Sequence, residues 1–187
     1  YKAGKLTNAH KELDTGLSAW NLAMGSQELY DWLDAEPQLF HPGDLDYIHS
    51  VERISKLSNV ISINGGVQLD LMGQENAEST GTRQLSGVGG QMDFLEGAYR
   101  SKGGKGFICI NSSRVTKDGE RKSNILATIP GGSTISAPRT MIQYVATEYG
   151  IASLSGKTLR ERAEAMASIA HPDFREELMK YAQENFK

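Results

Sequence analysis

A glycine-rich turn at residues 86–94 constrains the fold of this chain more than any other stretch. Three glycines lie within four positions, and the first charged residue after them is Asp93. Glycine has no Cβ, so the backbone can turn sharply and approach a ligand closely. The apolar, helix-compatible run that follows predicts a short helix to Tyr99, whose first backbone N–H groups have no partner within the helix. Such N–H groups suit a phosphate or the oxyanion of an acyl-transfer intermediate.

The segments on both sides of this turn alternate between strand-like and helix-like patterns. N-cap residues and helical spacing predict helices that begin after Ser26, Thr158 and His171. Apolar runs bounded by glycine or polar clusters predict strands at 60–63, 67–71, 107–110, 125–129 and 144–147. The first two of these strands, joined by a glycine turn, are interpreted as a hairpin. Strands that alternate with helices predict an α/β fold, with an open mixed or parallel sheet and flanking helices.

The charge and composition of the chain argue against several classes of function. Its formal net charge is −3 at pH 7 and it has no basic tract, which argues against nucleic-acid binding. It has no run of about 18 apolar residues, so no membrane span is expected, and no secretory signal is visible. With 187 residues it is one domain or one large piece of a bigger enzyme. Its one cysteine, Cys109, lies in an apolar run and is expected to be buried and unreactive.

An ordered set of motifs carries a family resemblance. Each glycine motif alone is weakly specific, whereas the complete set in this order is highly specific. The motifs are SIN (62–64), DLMGQ (70–74), NAES (76–79), SGVGGQMDF (86–94), SKGGK (101–105), TEYGIA (147–152), GKTLRERA (156–163) and AHPDFR (170–175). Together they resemble the C-terminal half of the acetyl-CoA hydrolase/transferase family. Members of that family include 4-hydroxybutyrate, butyryl-CoA and succinyl-CoA:acetate CoA-transferases.

The resemblance implies a fold and a chemistry. The fold is the NagB/RpiA/CoA-transferase-like arrangement, and the reaction moves CoA from an acyl-CoA to a free carboxylate such as acetate. In such enzymes a glutamate attacks the thioester, a glutamyl-CoA thioester follows, and each step passes through a tetrahedral oxyanion. CoA is then a substrate, and no permanently bound cofactor or metal is implied. Acyl-CoA hydrolysis and a non-catalytic CoA-binding or assembly role are the alternatives.

The nucleophilic glutamate of the family has no counterpart in this chain. Aligning residues 2–6 with the family puts that glutamate before Tyr1, and Glu78 is expected at most to line the site. The chain is therefore expected to be a fragment, with residues 1–25 as an inter-domain segment and residues 26–187 as a core domain. Its expected partners are the N-terminal half of the same enzyme, an acyl-CoA and a small carboxylate. The resemblance also implies a homodimer in the cytoplasm.

Six residues are predicted to form the site. The resemblance assigns the oxyanion N–H to Gly90, the second glycine of the Gly-Gly pair. Contacts to CoA or its acyl group are predicted for Gly66, Val67, Ser86, Gly89, Gly90 and Lys102. For each of them a purely structural role, as part of a turn, a cap or a solvated lysine, is the alternative.

Other polar residues are given weaker or structural roles. Lys105 is more simply a surface lysine, and Glu148 and Tyr149 are left open between lining the site and structure. His171 precedes a helix-starting proline and is interpreted as structural. Residues 74–84 are interpreted as a polar loop. The remaining histidines, His10, His41 and His49, have no metal-ligand spacing.

Overall fold

Residues 1–186 of the chain are described by a computed structural model in which helices and strands alternate. The helices are α1 (Gln27–Ala35), α2 (Leu45–Ile48), α3 (Val51–Lys56), α4 (Gln91–Arg100), α5 (Leu159–Ser168) and α6 (Pro172–Asn185), with a 3₁₀ turn at Pro37–Leu39. The strands are β1 (Ser18–Trp20), β2 (Phe40–Pro42), β3 (Ile61–Gly65), β4 (Gln68–Asp70), β5 (Glu75–Asn76), β6 (Ser79–Thr80), β7 (Arg83–Gln84), β8 (Lys105–Cys109), β9 (Ser113–Val115), β10 (Arg121–Ser123), β11 (Ile125–Leu126), β12 (Tyr144–Thr147) and β13 (Gly150–Ser153). The predicted α/β class is confirmed.

The central sheet has four strands in the order β13-β12-β8-β3. β3, β8 and β12 run parallel, and β13 pairs antiparallel with β12 through a tight turn. The register puts Ile108 beside both Asn64 and Val145. The carboxyl ends of the three parallel strands therefore meet at one edge of the sheet, which is where open α/β sheets bind ligands.

A second, three-stranded sheet encloses the core. Its order is β11-β4-β5, with β4 parallel to β11 and antiparallel to β5. Leu69 of β4, Ile108 of β8, Val145 of β12 and Met166 of α5 are fully buried in one hydrophobic cluster. The core thus lies between the two sheets and α5, and its apolar contacts fix how the central sheet is placed.

Helix α4 runs back along the central sheet from its carboxyl edge to its amino edge. Its first residue, Gln91, is hydrogen-bonded to Glu75, which lies beside the end of β3. After its last turn, Ser101 Oγ accepts from the N–H of Val60 (3.2 Å), just before β3 begins. Glycines allow this close packing, since a Cβ at Gly106 would lie 2.9 Å from Leu95 Cδ2.

The opposite face of the central sheet is largely uncovered. Strand alternation and register put one set of side chains on this face: Ile61, Ile63, Lys105, Phe107, Cys109, Tyr144, Ala146, Ile151 and Ser153. We call this set the open face. Ile61 is 50% exposed, Ile63 69% and Ile151 63%. The open face is the largest departure of this fold from a sheet with helices on both sides.

The first 25 residues pack against the segment that follows them. The Tyr1 ring lies 5.3 Å from the Trp32 ring, and Asn8 Nδ2 donates to the Tyr1 hydroxyl (2.8 Å). Asp14 forms an ion pair with Arg53 of α3. The division of the chain at residue 25 stays a prediction.

The predicted hairpin at residues 60–71 is wrong. β3 joins the central sheet beside β8, whereas β4 joins the second sheet between β11 and β5. Gly65 and Gly66 do not have positive φ angles and do not form the predicted hairpin turn. The connection between β3 and β4 instead passes from one sheet to the other. β3 pairs with the distant β8, and β4 pairs with the distant β11 as well as with the nearby β5. Local alternation cannot indicate the distant pairings.

Two predictions of burial are also corrected. Cys109 is exposed, because it lies on the open face rather than on the core side of β8. The stretch 74–84, interpreted as a polar loop, contains three short strands, and Glu75, Asn76, Glu78 and Ser79 in it are buried. The helix starts were predicted well: Ser26 caps α1, Thr158 and Glu161 form a capping box at α5, and His171 caps α6. No helix within residues 1–186 is long and apolar enough to cross a membrane.

Candidate functional site

The carboxyl edge of the central sheet forms a cleft. The cleft has a volume of about 470 Å³ and is lined by Gly66, Cys109, Ile110, Asn111, Ala146 and Thr147. These residues end β3, β8 and β12 or follow them directly. Of the predicted site residues, Gly66 lies in this cleft. Its N–H donates to the carbonyl of Cys109 (3.4 Å), so it continues the pairing of the two strands past their ends.

Gly66 is held against a buried carboxyl group. A Cβ at Gly66 would lie 2.7 Å from Glu75 Oε1 and 2.9 Å from Ile110 Cγ2, so only glycine fits without displacing them. The next residue, Val67, is half-buried, and its N–H donates to the carbonyl of Asn76 (2.9 Å). Gly66 therefore lies in the cleft and Val67 directly follows it, and neighbouring strands fix the backbones of both.

The glycine-rich turn begins α4 as the sequence indicates. Gly89 has a φ angle of +61°, and Gly90 is the N-cap residue with a φ angle of −92°. A Cβ at Gly90 would overlap the His49 ring. Within residues 1–186, the N–H groups of Gly89, Gly90 and Gln91 have no hydrogen-bond acceptor. The turn therefore presents open donors at the positive end of a helix, the arrangement that stabilises a developing oxyanion.

The other side of this turn borders a second cleft. That cleft has a volume of about 490 Å³ and is lined by Leu45, Asp46, His49, Ser50, Glu52, Gly89 and Asp93. His49 packs edge-on against Phe94, and its Nδ1 lies 3.7 Å from a carboxylate oxygen of Asp93. Three acidic side chains make this cleft less suited to the phosphates of CoA than to uncharged or cationic groups. Gly89 and Gly66 thus border different clefts.

Ser86 opens the turn and is held locally. Its N–H donates to the carbonyl of Glu78 (3.3 Å), and its hydroxyl donates to the carbonyl of Gly87 (3.1 Å). Glu78 is 8% exposed, and within residues 1–186 its Oε2 has no hydrogen-bond partner. The segment that carries Glu75 and Glu78 therefore contacts the glycine turn at both of its ends.

Glu75 is the residue that the sequence did not single out. It is 0% exposed, and its Oε2 accepts a hydrogen bond from Gln91 Nε2. Burial raises the pKa of its carboxyl group to about 8, against a smaller lowering by the Gln91 hydrogen bond. The sequence offered one signal: Glu75 follows the DLMGQ motif directly and begins a strand opposite Leu69, so its side chain points toward the core.

Lys102 is not brought to the other predicted residues. It is exposed in the loop after α4, where its carbonyl accepts from the N–H of Asn59 (2.8 Å) at the amino edge of the sheet. α4 has ten residues, which at 1.5 Å per residue separates Lys102 from Gly90 by roughly 15 Å. Lys105 begins β8 at the same amino edge. A ligand in contact with both Gly90 and Lys102 must therefore be long.

Glu148 lies at the carboxyl edge, directly after β12. Its carboxylate accepts from the N–H (2.9 Å) and the hydroxyl (2.6 Å) of Ser112. Desolvation acts to raise its pKa, but these hydrogen bonds and the nearby His171 hold it below its usual value. His171 caps α6, where its Nδ1 accepts from the N–H of Asp173 (3.3 Å), which agrees with the structural role predicted for it. Within residues 1–186 no group of His, Cys, Asp and Glu side chains has the arrangement of a metal site.

A family model and several known proteins match this chain. The family model described as acetyl-CoA hydrolase/transferase C-terminal domain matches residues 25–182. The chain is 44% identical over 182 residues to butyryl-CoA:acetate CoA-transferase of Anaerostipes caccae, covering 97% of this chain and 41% of that protein. It is 44% identical over 185 residues to 4-hydroxybutyrate coenzyme A transferase of Clostridium kluyveri, covering 99% and 42%. The crystal structure of RipA from Yersinia pestis superposes with a TM-score of 0.87 at 39% identity, covering 98% of this chain and 40% of that one. The chain thus spans about two fifths of the length of the curated relatives it matches.

Proposed function

Because the chain belongs to the family of acetyl-CoA hydrolase/transferase C-terminal domains, we propose that it is the carboxyl-terminal half of a CoA-transferase. The enzyme would move CoA from an acyl-CoA to a free carboxylate such as acetate. Five relatives named as CoA-transferases are 39–46% identical to this chain and a sixth is 29% identical, whereas two relatives named acetyl-CoA hydrolase are 30% and 32% identical. The observation that carries the proposal is the turn at Gly89 and Gly90, whose open N–H groups begin α4 beside the carboxyl edge of the central sheet.

In the proposed reaction a glutamate carboxylate of the enzyme attacks the carbonyl carbon of the thioester, and negative charge develops on the carbonyl oxygen. The N–H of Gly90 donates to that oxygen and lowers the energy of the tetrahedral intermediate. When the intermediate collapses, the C–S bond breaks and CoA leaves as a thiolate, so that an acyl-glutamyl anhydride remains. The thiolate then attacks the glutamyl carbonyl of the anhydride and releases the acyl group as a free carboxylate.

The glutamyl-CoA thioester so formed is the starting point of the second half of the reaction. The acceptor carboxylate attacks it, and the same steps run in reverse to give the new acyl-CoA and the free glutamate. Every step forms and collapses an oxyanion intermediate, so one set of backbone donors at Gly90 serves the whole cycle. The nucleophilic glutamate belongs, in this proposal, to the amino-terminal half of the enzyme.

CoA is proposed to lie along this half of the enzyme with its thioester at the carboxyl edge. Gly66, Val67 and Gly89 contact the pantetheine or acyl end, and Ser86 lies at the entry of the same turn. Lys102, at the amino edge, is assigned to the phosphates at the far end of the molecule. CoA is long enough for the two ends to be served by opposite edges of the sheet, and no permanently bound cofactor is proposed.

The amino-terminal half of the enzyme is the proposed partner of the open face. An apolar patch that includes three exposed isoleucines is unusual for a surface in contact with water. Phe107 and Tyr144 stack at its centre with their rings 4.8 Å apart, which gives the patch a flat aromatic middle. A homodimer and a cytoplasmic location are proposed from the family resemblance alone.

The proposed reaction is tested with the complete protein that contains this chain, incubated with butyryl-CoA and acetate. CoA transfer predicts that acetyl-CoA forms in an amount equal to the butyryl-CoA consumed, and that none forms without acetate. Free CoA released without acetate would identify the enzyme as a hydrolase. If butyryl-CoA and a series of other acyl-CoA donors all remain unchanged, the proposed catalytic function is wrong and a CoA-binding role is left.

A further inference from the structure

Glu75 is a buried carboxyl group without a role in the reaction described above. It is 0% exposed, and within residues 1–186 its Oε1 has no hydrogen-bond partner. Burying a carboxyl group with an unsatisfied oxygen costs stability, so such a group usually serves a purpose other than stability. Its backbone is held firmly, since its N–H donates to the carbonyl of Ala137 (3.0 Å) and its carbonyl accepts from the N–H of Ser136 (2.8 Å).

The Glu75 side chain connects the two candidate glycine segments. Its Oε2 accepts from Nε2 of Gln91, the residue directly after Gly90. Its Oε1 faces the position after β3, where a Cβ at Gly66 would approach it to 2.7 Å. One carboxyl group therefore contacts the start of α4 on one side and the floor of the cleft on the other.

Within residues 1–186, the start of α4 lacks a side-chain cap of its own. Gly90 makes no side-chain capping hydrogen bond, whereas α1, α2, α3, α5 and α6 are each capped by the side chain of their own N-cap residue. A glycine at this position leaves the turn free to adopt several backbone conformations. The hydrogen bond between Glu75 and Gln91 supplies the missing restraint from a neighbouring strand.

We propose that Glu75, acting through Gln91, is a positioning residue that holds the Gly89–Gly90 turn so that the N–H of Gly90 points at the reacting carbonyl oxygen. The inference rests on the proposed function, because it needs Gly90 as the oxyanion donor. Donors of this kind act only when they are held in place before the reaction, and small displacements of such groups lower the rate strongly. Glu75 does not touch the substrate in this arrangement.

The test compares four variants of the complete protein: Glu75→Val, Glu75→Gln, Gln91→Met and the double variant Glu75→Val/Gln91→Met. Glu96→Gln, which changes an acid on α4 that pairs with Arg100 instead, is the matched control. Two quantities are measured: amide hydrogen exchange of peptides that cover residues 86–94, and kcat and KM for butyryl-CoA with acetate.

Glu75→Val and Gln91→Met are each expected to speed exchange in the turn and to lower kcat by about 10- to 100-fold, with KM nearly unchanged. The double variant is expected to be no worse than either single one, because both remove the same restraint. Glu75→Gln keeps an oxygen acceptor for Gln91 and is expected to restore most of kcat and of the exchange protection. The control is expected to behave as the unsubstituted protein.

Unchanged exchange and kcat in Glu75→Val would overturn the proposal, as would a loss in kcat that Glu75→Gln fails to restore. Failure of the proposed function has a different signature: the unsubstituted protein forms no acetyl-CoA at all. In that case the exchange data alone decide whether Glu75 holds the turn. Faster exchange in Glu75→Val that Glu75→Gln reverses would support the restraint, and equal exchange in all variants would exclude it.

Discussion

At the scale of single residues, the candidate site depends on positions where a side chain has no room. Gly90 faces the His49 ring, and Gly66 faces Glu75 and Ile110. Gly87, in the same turn as Gly90, has nothing within 4 Å of where its Cβ would lie. The neighbours of Gly90 therefore require a glycine, whereas those of Gly87 do not. Substitutions at these two positions distinguish the effect of a steric overlap from the effect of reduced backbone flexibility.

Gly90→Ala is expected to lower kcat of the complete protein by about 10²- to 10³-fold, the usual effect of losing one oxyanion donor, because the new Cβ overlaps His49 and displaces the N–H. Gly87→Ala, the matched control, is expected to change kcat little. Adding His49→Ala to Gly90→Ala makes room for the new Cβ and is expected to recover part of the rate. Steady-state kinetics with butyryl-CoA and acetate measure all three. Equal losses for the alanine variants at residues 87 and 90 would contradict the role of Gly90.

At the same scale, the buried carboxyl group of Glu75 predicts how the stability of the folded protein depends on pH. Burial raises the pKa of Glu75 to about 8 from its usual value of 4.5, so the folded protein keeps a proton that the unfolded chain releases. Of the other titratable groups nearby, Asp70 contacts Gln74, Asp93 lies near His49, and Cys109 faces the open side of β8. Glu78 is also buried, and within residues 1–186 its Oε2 has no hydrogen-bond partner. With respect to Glu75 the protein is therefore most stable below about pH 4.5, and its stability falls by up to about 1.4 kcal/mol per pH unit as pH rises to about 8.

The measurement is the free energy of urea unfolding at pH 5.5 and pH 8.0 for the unsubstituted protein and Glu75→Gln. The substitution removes the titrating group but keeps its shape, so its stability is expected to fall less between the two pH values. Glu96→Gln controls for the loss of one negative charge. Parallel pH dependences of the unsubstituted protein and Glu75→Gln would show that the Glu75 carboxyl is already ionised at pH 5.5 in the folded state.

At the scale of secondary-structure elements, the sequence was informative where structure is local. Caps such as Ser26 and Thr158 satisfy backbone groups within one turn of helix, so their residue types predict the helix starts directly. The hairpin prediction failed because β3 and β4 are neighbours in sequence but members of different sheets. Which strand lies beside which is decided by packing of the whole core, and a single sequence carries little of that information.

The candidate site, like the strands, could be predicted from the sequence only in part. The glycine turn and the position of Gly66 after a strand follow from local pattern and family resemblance. The partnership of Glu75 with Gln91 joins residues 16 positions apart on different elements, and no local pattern indicates it. The sequence groups Lys102 with the others because it flanks a glycine loop, although α4 carries that loop to the opposite edge of the sheet.

Helix α4 connects the glycine turn with the loop that carries Lys102. Its packing against α3 predicts the effect of a substitution at Gly97. A Cβ at Gly97 would lie 2.5 Å from Cγ2 and 2.6 Å from Cβ of Ile54. Alanine usually stabilises a helix relative to glycine by about 0.5–1 kcal/mol, but a β-branched side chain fixed on α3 cannot move aside. Gly97→Ala is therefore expected to destabilise the protein by about 1–3 kcal/mol, as overpacking does.

Urea unfolding of Gly97→Ala measures this cost, and Glu96→Ala, on the adjacent position of α4, controls for a change in helix propensity. The overlap is also expected to push α4 away from α3 and to shift the glycine turn at its start, so kcat should fall together with stability. A Gly97→Ala variant that is more stable than the unsubstituted protein would mean that helix propensity outweighs the contact with Ile54.

At the scale of the whole molecule, the two faces of the central sheet differ in how far other elements cover them. One side of the central sheet is closed by α4, the second sheet and α5, with a continuous hydrophobic cluster between them. The other side is the open face, where apolar side chains meet solvent. Both the cleft at the carboxyl edge and Cys109 border this open face. A partner that covers it would thus also lie next to the proposed thioester site, where the proposed reaction needs its nucleophilic glutamate.

The last prediction compares the effect of one substitution in this chain alone with its effect in the complete protein. Ile63 is 69% exposed here, so Ile63→Glu should leave the stability of the 187-residue chain nearly unchanged. In the complete protein the proposed partner covers Ile63, and the same substitution should destabilise it by at least about 2 kcal/mol, since it removes apolar burial and introduces a buried charge. Val115→Glu, on the exposed β9–β10 hairpin, is the matched control and should be tolerated in both. Chemical denaturation of the two forms gives these differences. CoA transfer is expected from the complete protein and not from the chain alone, and transfer by the chain alone would mean that it contains its own nucleophile.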